Sequence, residues 1–191
     1  MFNQLKRLNA ADWISSLRLI AVPIVIITTL LDLKEATGWI ILIGLATDAV
    51  DGQVARRFHL TSKIGSRLDS IGDASLFLAS FFSIVWFFPE FITTHLWQVC
   101  VLMGLYFLQL VVSFIKHKRE TSFHTYAAKL SAITESLFIV VCFFYQPVEW
   151  LFYVTWIIGL LEQIDELSLL FILPELKEDV KGIYWILKEK K

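Results

Sequence analysis

Six stretches of this chain are long and apolar enough to cross a bilayer, and they leave little room for anything else. They run over residues 13–31, 38–55, 68–88, 96–115, 126–145 and 150–173. About 20 apolar residues in a helix match a hydrocarbon core of about 30 Å. Six such spans use roughly 120 residues of a chain of 191. The expected fold is therefore one membrane-embedded, all-α domain over residues 1–191, with six transmembrane helices. Composition agrees: 57% of residues are hydrophobic and 18% are charged. A soluble domain of this size could not hide that much apolar surface, and a disordered chain would not carry it. A net charge of −1 gives no attraction for nucleic acid. Cys100 and Cys142 lie in apolar runs and imply no disulfide framework.

The flanks fit the same picture. Residues 2–12 alternate apolar and polar positions with helical spacing, as an interfacial helix does. The first apolar run is too long for a signal-peptide core and carries Arg18, so it is read as retained. Residues 174–191 mix Leu176, Val180, Ile183 and Trp185 with lysines, the pattern of an amphipathic tail. With six spans both termini share a side. That side holds sixteen of the seventeen Lys and Arg residues; Lys34 alone falls on the other. Positive charge marks the cytoplasmic face, so the termini and the 56–67 segment are expected there.

Charges within membrane spans are costly and by default functional. The densest set lies in DAVDGQVARRFHLTSKIGSRLDSIGD, residues 48–73. At 100° per residue, Asp48, Asp51, Gly52 and Ala55 share one helix face, and Asp69 and Asp73 share another. Two consecutive helices on a short link pack as antiparallel neighbours, so the four carboxylates can converge at the cytoplasmic end of the second and third spans. Such a cluster needs counter-charge. Magnesium or manganese suits hard oxygen ligands, and two ions can clamp a phosphoryl group. Gly52 and Ala55 give a ligand room, and Arg56 offers a planar fork for phosphate oxygens.

The spacing Asp-x2-Asp-Gly-x2-Ala-Arg-x8-Gly-x3-Asp-x3-Asp is met in full by Asp48, Asp51, Gly52, Ala55, Arg56, Gly65, Asp69 and Asp73. It resembles the defining motif of the CDP-alcohol phosphotransferase (CDP-alcohol phosphatidyltransferase) family of membrane enzymes. Eight fixed positions match by chance on the order of 10⁻¹⁰ per starting residue at ordinary residue frequencies. The six-span layout with an interfacial N-terminal helix is also similar. The resemblance implies a donor that is a CDP-linked lipid, commonly CDP-diacylglycerol, an acceptor that is a small alcohol, and release of CMP. It implies that Asp48, Asp51 and Asp69 are metal ligands. Asp73 would be a ligand, the general base for the acceptor hydroxyl, or both. Gly52, Ala55, Arg56 and Gly65 would line the CMP and diphosphate pocket. Membrane lipids are implied partners, and a homodimer stays open.

Other polar residues have two readings each. Arg18 either snorkels to the interface or enters the pocket; Asp12, Ser15 and Arg18 partly match the family's Asn-x2-Thr-x2-Arg. Lys116, Lys118 and Arg119, with Lys129 beyond them, either mark the cytoplasmic surface or bind a phosphate on the acceptor. Glu135, Glu162, Gln163, Asp165 and Glu166 either form the polar wall of a cavity, paired with Lys129, or reflect a sixth span that ends early and leaves 162–166 near water. Ala74 follows Asp73 where users of glycerol 3-phosphate often have Lys, and residues 68–73 are closer to the serine-using branch. The competing function class is a non-enzymatic cation-binding membrane protein or carrier, which has no need of Gly52, Ala55 and Arg56.

Overall fold

A backbone in hydrocarbon must satisfy its own hydrogen bonds, and a helix does so within one segment. The computed structural model describes residues 10–58, 63–117, 123, 125–173 and 180–189; within these, the side chains of 10–17, 48–58, 63–70, 187 and 189 are left aside. The described residues form eight helices and no strand. They are α1 (Ala10–Leu30), α2 (Lys34–Phe58), α3 (Lys63–Phe87), α4 (Pro89–Thr94), α5 (Leu96–His117), α6 (Tyr126–Phe144), α7 (Glu149–Ile172) and α8 (Ile183–Glu189). Six of them follow the six apolar stretches. By length and composition two, α5 and α6, are apolar enough throughout to cross a membrane; α1 and α3 hold shorter apolar segments, Arg18–Leu30 and Ile71–Phe87.

Several boundaries differ from expectation. Residues 89–94, expected as a break, form α4, with Pro89 at the first helical position, where its missing N–H costs nothing. Arg56 belongs to α2 and Gly65 to α3, so the link between these helices narrows to residues 59–62, which lie outside the described residues. Helix α7 runs on to Ile172, past Glu162, so the sixth apolar helix does not end early. The expected N-terminal interfacial helix over 2–12 lies almost wholly outside the described residues.

The chain divides into two compact units, Met1–Pro89 with Ile139–Gln146, and Glu90–Phe138 with Pro147–Lys191. In the first, α1, α2 and α3 pack together. The Thr29 and Ser83 hydroxyls, both fully buried, hydrogen-bond at 2.7 Å and tie α1 to α3. Whichever hydroxyl accepts in this pair keeps its own proton for the carbonyl four residues back, Val25 for Thr29 or Ala79 for Ser83, so both are satisfied among apolar neighbours. A Cβ on Gly44 of α2 would stand 2.7 Å from Leu76 Cδ2 of α3, so glycine is what gives the Leu76 side chain room against the α2 backbone. At the far end of α1, Trp86 Nε1 donates to Asp32 Oδ1 at 2.8 Å, and Lys34 Nζ stands 4.6 Å over the Phe88 ring.

In the second unit the usual burial pattern is inverted. The buried residues of α5 are Gln98, Gln109 and Ser113. Its exposed residues include Trp97, Phe107, Leu108, Phe114 and Ile115. In water such a helix would turn over; in lipid the apolar side faces the solvent and the polar side must find partners inside. Gln109 Nε2 donates to Glu166 Oε2 of α7, and Trp156 Nε1 of α7 donates to the Gln98 carbonyl at 3.1 Å. Ser131 donates to Glu135 at 3.1 Å within α6, and Thr155 donates to the Thr134 carbonyl at 3.3 Å. An apolar cluster of Phe123, Leu169, Leu170, Leu173 and Val180 closes one end. There Gly182, at φ +138°, makes the turn into α8, and Asp165 Oδ1 accepts the Ile183 N–H at 2.8 Å.

Candidate active site

The motif is shared between two helices of the first unit. Asp48, Asp51, Gly52, Ala55 and Arg56 lie on the last three turns of α2; Gly65, Asp69 and Asp73 lie on the first three turns of α3. The side chains of the first seven of these eight are outside the described residues; Asp73 is within them. The Gly44–Leu76 approach sets the backbone register. Asp48 and Asp51 stand four and seven residues beyond Gly44, helical positions on the same side of α2. Asp73 and Asp69 stand three and seven residues before Leu76, again on the same side of α3. The helices are joined at the ends toward which both sets run, so the turn carrying Asp48 lies level with the turn carrying Asp73.

Asp73 has a partner that its place in the motif does not reveal. Arg18, from α1, sets Nη1 against Asp73 Oδ1. The Arg18 side chain is fully buried, whereas the Asp73 side chain is 45% exposed. Arg18 therefore does not snorkel to the interface. The pair joins α1, which packs against both α2 and α3, to the last aspartate of the motif, and it leaves part of that carboxylate open. A lone arginine inside an apolar run was the sequence signal; its partner could be named only from the packing.

The basic residues considered for the acceptor fall into different surroundings. Lys116 Nζ donates to the carbonyls of Leu170, Phe171 and Leu173, at 3.3 Å for Phe171 and 3.0 Å for Leu173. All three of its N–H groups are thus aimed at the end of α7. Lys118 and Arg119 lie outside the described residues. Lys129 is exposed and stands 5.7 Å from the centre of the Tyr126 ring. The partner of Glu135 is Ser131 rather than Lys129. Glu166, expected either at a cavity wall or near water, is buried against Gln109. Among the described residues no three His, Cys, Asp or Glu side chains converge to hold a metal ion, so Glu135, Glu162 and Glu166 do not form a metal centre.

What the arrangement offers chemically is a set of carboxylate positions on two neighbouring helices, three arginines, Arg56, Arg57 and Arg67, on the same turns, and a buried arginine holding the last carboxylate. A comparison with curated proteins finds no match. The CDP-alcohol phosphatidyltransferase family model matches residues 8–161, which takes in α1 through α6, the first half of α7 and the whole 48–73 motif. With the match covering most of its length, the chain belongs to the CDP-alcohol phosphatidyltransferase family.

Proposed function

We propose that this protein transfers the phosphatidyl group of a CDP-linked lipid, CDP-diacylglycerol, to the hydroxyl of a small alcohol and releases CMP. The observation that carries this reading is the family match across residues 8–161 with every position of the 48–73 motif filled. Asp48, Asp51, Asp69 and Asp73 would hold two Mg²⁺ or Mn²⁺ ions. Four hard carboxylates on facing turns fit that donor set, and the part-exposed Asp73 side chain is open to a ligand. When bound, the ions would neutralise the charge that develops on the diphosphate as CMP leaves. Arg56, one turn beyond Gly52, would hold diphosphate oxygens with its planar fork, and Gly52, Ala55 and Gly65 would let the nucleotide approach the helices. Asp73 would take the proton of the acceptor hydroxyl. The freed oxygen then bonds to the lipid-side phosphorus, the bond from that phosphorus to the CMP oxygen breaks, and CMP departs with the electron pair.

The surface pattern of α5 and the family support a membrane-embedded protein. In our reading all six long helices, 19 to 25 residues each, span the bilayer, with both termini and the motif ends of α2 and α3 on the cytoplasmic side. Purified protein given CDP-diacylglycerol, magnesium and a panel of alcohols should release CMP only with its proper acceptor. Excess chelator should abolish release, and magnesium or manganese should restore it. Full turnover in excess chelator would defeat the metal assignment; no CMP release with any alcohol would defeat the transferase reading.

A further inference from the structure

Arg18 lies 11 residues before Thr29 on α1, and Asp73 lies 10 residues before Ser83 on α3. The two helices are thus joined at two levels, about 15–16 Å apart along the axis at 1.5 Å per residue. One joint is the fully buried Thr29–Ser83 hydrogen bond; the other is the Arg18–Asp73 ion pair. Both run in the same chain sense, so α1 and α3 are parallel and cannot slide past one another without breaking both joints.

The Arg18 stem is long enough for a charge near a helix end to reach water, which is the cheaper place for it. Instead its side chain is fully buried, and it meets a carboxylate that is itself 45% exposed. A pair whose guanidinium is fully buried is a poor way to gain stability, since desolvation of that charge takes back most of the attraction. What it does supply is geometry. A planar guanidinium fixes the direction of a carboxylate in a way that solvent cannot. An aspartate held through one oxygen and still 45% exposed is constrained yet reachable.

We propose that Arg18 is the positioning residue of Asp73: reaching across from α1, it holds the carboxylate in the orientation from which it takes the acceptor proton. The proposal rests on the reading of Asp73 as the base. Arg18 touches neither donor nor acceptor in this role, so its loss reduces turnover and leaves donor affinity alone.

The test is a double-mutant cycle on the full-length protein, with kcat and donor KM measured for CDP-diacylglycerol in magnesium and the folded fraction followed by gel filtration. Asp73→Asn should lower kcat by about 10²–10⁴-fold, the usual worth of a general base. Arg18→Gln should lower kcat by at least about tenfold, with donor KM within about threefold of the native value. Arg18→Lys, which keeps a buried charge beside Asp73 but not the planar guanidinium, should fall between Arg18→Gln and the native protein. In the Asp73→Asn background the Arg18 substitutions should cost little more, because residues acting as a unit are not additive. If Arg18→Gln does not fold, the Arg18→Lys cycle gives the same coupling. Native kcat in the Arg18 variants, losses that simply add to those of Asp73→Asn, or a loss carried by donor KM would overturn the positioning role. Near-native kcat in Asp73→Asn would instead remove the base, a distinguishable failure that takes this proposal with it.

Discussion

A lysine near the membrane surface is ordinarily a topology signal, but Lys116 has a specific task in this fold. Helix α7 ends without glycine: Leu173, its C-terminal cap, is extended at φ −87° and ψ 122°. The Leu173 N–H bonds the Leu169 carbonyl, and the carbonyls beyond it, which also carry the negative end of the helix dipole, need other donors. Lys116 supplies the missing donors to Leu170, Phe171 and Leu173. A cation in such a place is worth about 0.3–2 kcal/mol. Lys116→Met should therefore lower the melting temperature of the detergent-solubilised protein by a few degrees while acceptor KM stays unchanged. A raised KM for a phosphate-bearing acceptor at native melting temperature would make Lys116 a substrate contact instead.

Between elements, α2 meets α3 next to the site at Gly44 and Leu76. Gly44 and Leu76 are the pair whose contact sets the level of the two aspartate-bearing turns. Leu76 is 2% exposed, so its side chain has little space to retreat into. Gly44→Val would push two methyl groups into it, and overpacking of this kind costs about 1–3 kcal/mol. We expect a lower melting temperature and a fall in turnover, because the α2 turns carrying Asp48 and Asp51 are displaced from those of α3. Gly44→Val with Leu76→Ala should regain part of both losses, since one substitution vacates the space the other fills. Additive losses in the double variant would show that this contact does not set the spacing.

For the whole molecule the question is which side of the membrane each end faces. The inverted α5, with glutamines and a serine inside and Trp97, Phe107 and Ile115 outside, is stable only in an apolar solvent. The distribution of Lys and Arg then predicts orientation. After replacement of the exposed Cys100, single cysteines at positions 34 and 59 should react with an impermeant maleimide from opposite faces of sealed vesicles. Position 59 should label from the cytoplasmic face. Labelling of both from one face would contradict the six-span arrangement.

Hydropathy read along the chain was enough to locate six long helices to within a few residues, because a helix in lipid is specified by its own side chains and satisfies its own backbone. The same local pattern carried the eight-position motif, whose spacing is a property of the chain itself. Helix α4 escaped because a six-residue helix has no hydrophobic period to detect, only Pro89 at its start. The partners of Arg18, Lys116, Gln109 and Glu166 escaped for another reason. Each lies on a helix other than its partner's, from 54 to 57 residues away in the chain for the pairs with Lys116 and Gln109. Such pairs depend on how helices are staggered, and the stagger is decided by contacts such as Gly44 on Leu76 and Thr29 on Ser83. Sequence thus located the six long helices and the motif to which the proposed chemistry is assigned. Tertiary packing decided which charge holds which, since the cost of burying a polar group is met only by the neighbour that the stagger brings alongside.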